Sequence, residues 1–157
     1  MTRVWRLTTR RWAGTAFDGE GARLYGGRWN RKGVAVVYTA GSQALALLEM
    51  LVQDEPLRAN YVVVAADIPP DLTIERLSLT DLPEDWTSPG RLETLRDLGG
   101  RWIARGKSAV LVVPSAVVPA ETNCVLNPAH PEFGRIRIGQ PEPFATDLRL
   151  LAKGRGR

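Results

Sequence analysis

The chain has 157 residues, 44% of them hydrophobic and 24% charged, with a formal net charge of +4. That balance describes a folded domain and excludes a disordered chain, and the length suits one domain that buries about 70% of its unfolded surface. A single cysteine, Cys124, and a single histidine, His130, exclude an internal disulfide and a Cys/His zinc cluster, so no metal is expected.

In chain order, Val4 to Thr8 reads as a strand. A Gly- and Arg-rich segment from Gly14 to Gly33 follows, long enough to be either a binding loop or the cover of a short helix. Val34 to Thr39 reads as a buried strand, and Gly41 with Ser42 turns the chain into a helix from Gln43 to about Asp54. Tyr61 to Ile68 is a strand closed by Pro69 and Pro70, Thr73 to Leu77 a short one, and Leu82 to Ser88 a surface loop. Arg91 to Arg105 carries Leu92, Leu95, Leu98, Trp102 and Ile103 at helical spacing, which Gly99 and Gly100 weaken or kink. Ala109 to Val113 is a strand, ETNCVLNPAHP a loop with turn signals, and Arg135 to Ile138 a late strand.

Many strands and two helices imply a mixed α+β domain over residues 1–152, followed by a disordered basic tail at 153–157. The longest apolar run, Ala44 to Val52, is interrupted by Glu49 and falls far short of the roughly 20 residues that span a bilayer. The N-terminal segment has basic residues without an apolar core behind them, so a cytoplasmic protein is expected.

Glu49 sits in ALALLEMLV, where a buried carboxylate is costly unless something pairs with it. Periodicity alone offers a plainer account: Ser42, Ala46, Glu49 and Gln53 would form a thin exposed stripe on the helix. Arg28 follows Gly26 and Gly27, which allow close approach of a ligand to the backbone, and its guanidinium is a two-pronged donor for phosphate or carboxylate. A surface arginine after an ordinary turn explains it equally well. Tyr38 ends a strand ten residues on, either as a core tyrosine with a satisfied hydroxyl or as a stacking platform. Ser115 lies between Pro114 and Pro119; a serine nucleophile would need His130 as its base, and no nucleophile-elbow motif supports that triad. The loop around Arg28 matches neither phosphate-loop fingerprint.

The stretch GGRWNRKGVAVVYTAGSQALALLEML, with VPSAVVP and ETNCVLNPAHP behind it, resembles the RES domain, whose namesake arginine, glutamate and serine would be Arg28, Glu49 and Ser115. The resemblance runs from about Arg3 to Phe144. It implies an ADP-ribosyltransferase-like core of small sheets flanked by helices, and a toxin that cleaves NAD with Arg28, Tyr38 and Glu49 as the catalytic set. Arg28, Tyr38, Ser115 and Asn123 would bind NAD, which is the substrate, with no further cofactor. The implied partner is an Xre-like helix-turn-helix antitoxin, in an assembly that can grow beyond one pair, with nucleic acid contacted only through the antitoxin. The acceptor of the ADP-ribosyl group stays open among water, phosphate and a protein side chain. The 21 Lys and Arg residues against 17 Asp and Glu leave a basic nucleic-acid-binding protein or ribonuclease toxin as the competing reading, and an inactive binding module as a third.

Overall fold

The computed structural model describes residues 1–53 and 60–153. The elements run β1 (Thr2–Thr9), α1 (Glu20–Tyr25), β2 (Val37–Ala40), α2 (Gln43–Gln53), β3 (Asn60–Ile68), β4 (Ile74–Arg76), α3 (Leu92–Arg105), β5 (Val110–Pro114), β6 (Thr122–Leu126), β7 (Arg137–Ile138), β8 (Glu142–Ala145) and α4 (Leu148–Lys153). Position 54 of the expected first helix and positions 154–157 of the expected tail lie outside the described residues.

The mixed α+β class holds, and the strands join in one eight-stranded sheet ordered β4-β5-β6-β2-β1-β3-β7, with β8 also paired to β3. Among the described residues, β4 and β5 are the one parallel pair. Side chains alternate between the two faces of a strand, so the register sorts the core. Val4, Val37, Val64, Val110, Val112, Cys124 and Leu126 form an apolar layer on one face with Phe17, Leu72 and Ile136. The opposite face carries two separate clusters. Leu111, Val113 and Val125 pack with Trp29, Trp86, Leu95 and Trp102 beneath α3, while Leu7, Ala40, Tyr61 and Val63 pack with Leu45 and Ala46 of α2. The gap between those clusters places the site.

The structure corrects several expectations. The segment from Gly14 to Gly33 does conceal a helix, α1, after a 3₁₀ turn at Arg10–Thr15. The loop assigned to ETNCVLNPAHP contains strand β6, paired on both sides by β2 and β5. The region 82–88 is not simply surface, because Leu82 and Trp86 are buried against Trp29. Helix α3 runs through Gly99 and Gly100 from Leu92 to Arg105. Gly99 is needed for contact rather than for bending: a Cβ there would lie 1.8 Å from the Trp29 carbonyl oxygen.

Candidate functional site

Register brings Asn123 opposite Ala40 and Val125 opposite Tyr38. Tyr38, Ala40, Asn123 and Val125 therefore share the divided face of the sheet. Helix α2 crosses this face through Leu45 and Ala46, both buried, and one turn beyond Leu45 it presents Glu49. The carboxylate is half-buried, and its Oε1 accepts from Ser115 Oγ at 2.8 Å and from Asn123 Nδ2 at 2.8 Å. No described hydrogen bond engages Oε2. The exposed-stripe account of Glu49 fails, since Ala46 is buried and Ser42 and Glu49 are half-buried, while the exposed residues of the helix are Ala44, Leu48, Val52 and, of the expected stripe, Gln53 alone.

Ser115 is fully buried, immediately after the last residue of β5. Its Oγ accepts from the Val117 and Val118 backbone amides at 3.1 and 3.0 Å while donating to Glu49. A hydroxyl committed in this way holds a carboxylate, and no histidine stands beside it to activate it as a nucleophile. His130 stands elsewhere, with Nδ1 accepting from the Glu132 amide and Nε2 bonded to the Gly106 carbonyl, so no serine–histidine pair exists.

The other half of the site is the turn carrying Arg28. Asn30, 1% exposed, donates through Nδ2 to the carbonyls of Ala22, Arg31 and Val34, and its Oδ1 accepts from the Tyr38 hydroxyl at 2.6 Å. The same hydroxyl accepts from the Trp29 amide at 3.0 Å. Burial pushes the Tyr38 phenol well above its ordinary value, against the opposing pull of its hydrogen bonds and of Arg96 and Arg28. It therefore stays protonated and serves as a strut between β2 and the turn. Gly27 lies so close that a Cβ would meet the Tyr38 oxygen at 2.5 Å. From α3, Arg96 Nε donates to the Gly27 carbonyl at 2.9 Å, and Arg31 pairs with Glu93 and Asp97. Arg28 itself is half-buried, its guanidinium 6.0 Å from the centre of the Trp86 ring.

Sequence reasoning missed Arg6. Strands β1 and β2 are paired only at Trp5 and Ala40, whereas β1 and β3 pair along eight residues. The resulting seam admits the Arg6 side chain, whose Nη1 donates to the Tyr38 carbonyl at 3.1 Å. Burial lowers its pKa, opposed by the charge of Asp18. The available signal was a charged residue inside a strand between Val4 and Leu7. Arg6 Nε and Asn123 Oδ1 are buried without partners among the described residues. One is a donor and the other an acceptor, and such orphans are uncommon in folded proteins unless a ligand or water completes them.

Much of the basic surface is neutralised locally. Arg3, Arg23, Arg31, Arg91, Arg105, Arg135 and Arg149 each pair with an acidic side chain, which weakens the case for a continuous phosphate-binding track. Among the described residues no group of three or more His, Cys, Asp or Glu could hold a metal ion, and no helix is long and apolar enough to cross a membrane.

A family model described as the RES domain matches residues 3–147. A protein named Toxin Res from Photorhabdus laumondii is 38% identical over 151 residues, spanning 94% of this chain and 96% of that relative. A Prs ADP-ribosylating toxin from Sphingobium is 35% identical over 158 residues, spanning 97% and 98%. The fold is similar to a chain in the crystal structure of the M. tuberculosis MbcT–MbcA toxin–antitoxin complex, with a TM-score of 0.72, 18% identity, and coverage of 99% of this chain and 89% of that one.

Proposed function

The chain belongs to the RES domain family, and from that premise we propose that it is the toxin of a bacterial type II toxin–antitoxin pair that cleaves the nicotinamide–ribose bond of NAD. The observation that carries this reading is the half-engaged carboxylate of Glu49. Ser115 and Asn123 fix Oε1 and leave Oε2 for a substrate, on the sheet face that also carries Tyr38, whose hydroxyl holds the turn bearing Arg28.

Scission of the bond between C1′ and the ring nitrogen sends the electron pair to nitrogen, so nicotinamide departs neutral and needs no general acid. The ribose passes through an oxocarbenium-like cation, as in glycoside hydrolysis. Glu49 stabilises that cation and accepts from a ribose hydroxyl. Arg28 binds the diphosphate, and the Tyr38 ring packs on the ribose or nicotinamide while its hydroxyl holds the turn. An oxygen nucleophile then bonds to C1′ and loses its proton: water yields ADP-ribose, inorganic phosphate yields the 1-phosphate of ADP-ribose, and a protein side chain yields an ADP-ribosylated protein. An Xre-like antitoxin restrains this activity by covering the cleft.

The test is incubation of purified protein with NAD, in buffer with and without phosphate and with cell extract, followed by mass identification of the products. Nicotinamide release with one of the three ADP-ribosyl products is expected. Intact NAD in all three arms defeats the reading.

A further inference from the structure

A cavity of about 450 Å³ opens between the C-terminal end of α3, the segment that enters β2 and the turn that follows β6. That volume lies within the range of small-molecule sites. Asn127 follows β6 directly, four residues from Asn123, which places the cavity about 13 Å along the strand from the Glu49 site.

Its walls include the aliphatic side chains of Val34, Ala35, Ile103 and Ala129, and its polar groups are Asn127 and His130. Both ring nitrogens of His130 are engaged, by the Glu132 amide and the Gly106 carbonyl. Asn127 differs. It is only 7% exposed; its Oδ1 accepts from the Ala129 amide at 3.0 Å, and its backbone bonds to Ala109 and His130. Among the described residues nothing accepts from its Nδ2, and that atom is absent from the fully enclosed unpartnered atoms, so this donor borders accessible space in the cavity.

Among the described residues no Lys, Arg, Asp or Glu lines the cavity, which disfavours an anion such as the NAD diphosphate. A sugar or peptide would strand several polar groups against Val34, Ala35, Ile103 and Ala129, and each group left unpaired there is costly. A flat heterocycle differs: its faces are apolar and pack on those side chains, while its polar groups are confined to the edge, where one acceptor meets Asn127 and the others face the open mouth of the cavity. We propose that this cavity is a second ligand site, which takes a neutral planar heterocycle of the nucleobase class through a hydrogen bond from Asn127 Nδ2. Gly33 borders the cavity and donates its amide to the Arg23 carbonyl at 2.8 Å. An occupant therefore braces the end of the segment that carries Arg28.

Adenine is the probe, titrated into the intact protein and followed by backbone amide NMR. Saturable shifts at Gly33, Ile103, Asn127 and Ala129 are expected. Asn127→Asp keeps the acceptor used by the Ala129 amide and replaces the donor, so affinity falls by about tenfold or more. Ile103→Trp fills the cavity and abolishes the shifts; if that variant fails to fold, Asn127→Asp decides alone. Shifts that never saturate, that cluster at Arg28, Tyr38 and Glu49, or that persist at wild-type affinity in folded Asn127→Asp overturn the proposal. The outcome is independent of NAD turnover, so this site and the catalytic reading stand or fall separately.

Discussion

Glu49 is held by side chains projecting from regular elements, the Ser115 hydroxyl beyond β5 and the Asn123 amide on β6, whereas the turn that carries Arg28 is held largely through its backbone, by Asn30, Arg96 and the Tyr38 hydroxyl. The difference teaches what each half does. Around Glu49, hydrogen bonds orient one charge and leave an oxygen free. Around Arg28 they fix a loop against α3 and β2, so that a long cationic side chain starts from a defined position. Damage to the first half should appear in the chemical step, and damage to the second in folding and substrate binding.

The largest expected effect on stability is at Gly99, where a Cβ would sit 1.8 Å from the Trp29 carbonyl. Gly99→Val forces α3 off the turn and costs about 3 kcal/mol, read by denaturant unfolding; wild-type stability would show that the contact gives way easily. Tyr38→Phe leaves the Asn30 Oδ1 and the Trp29 amide without their partner and costs about 2 kcal/mol. It should raise the NAD KM more than it lowers kcat, and the reverse pattern would make the hydroxyl a participant in the chemistry. Ser115→Ala removes one hydrogen bond to the Glu49 carboxylate, so kcat should fall by about tenfold with NAD affinity nearly unchanged. A loss confined to affinity would move Ser115 from the first half to the second.

The smallest effect concerns Cys124, on the opposite face of the sheet, whose thiol burial pushes up to about 11. The folded protein should resist iodoacetamide at pH 8, because the thiolate is the reactive form. The raised value also sets a sign: the folded state retains this proton longer than the unfolded chain, so stability falls as pH climbs from about 9 toward 11 and is unaffected below that window.

Apolar runs made much of the scaffold legible. VWRLT, YVVVAADI, ALALLEMLV and AVLVV fall in β1, β3, α2 and β5 within a residue or so of where period and turn signals put them. Strand β6 escaped because Thr122 and Asn123 open it and NPAHP follows it, so its turn signals outweighed the short alternation of Asn123 and Val125 against Cys124 and Leu126. The burial of Trp86 was illegible for another reason: its partner, Trp29, lies 57 residues away, with ring centres 6.3 Å apart, and local pattern carries no such information. Of the site, Glu49 and Arg28 stood out as charge in unusual company, Tyr38 by its place at a strand end, and Ser115 and Asn123 through the family resemblance. Arg6, Asn30 and Arg96 act on backbone carbonyls brought near by the fold, which only coordinates reveal.

The central claim is that the charge of Glu49 drives NAD cleavage. Glu49→Gln keeps the size of the side chain and an oxygen to accept from Ser115 and Asn123 while removing that charge. The direct measurement is nicotinamide release at saturating NAD by folded Glu49→Gln, alongside its NAD affinity from calorimetry. The account predicts a kcat lower by about two to four powers of ten with an affinity within a few-fold of wild type. Near-normal nicotinamide release from the folded variant would contradict it.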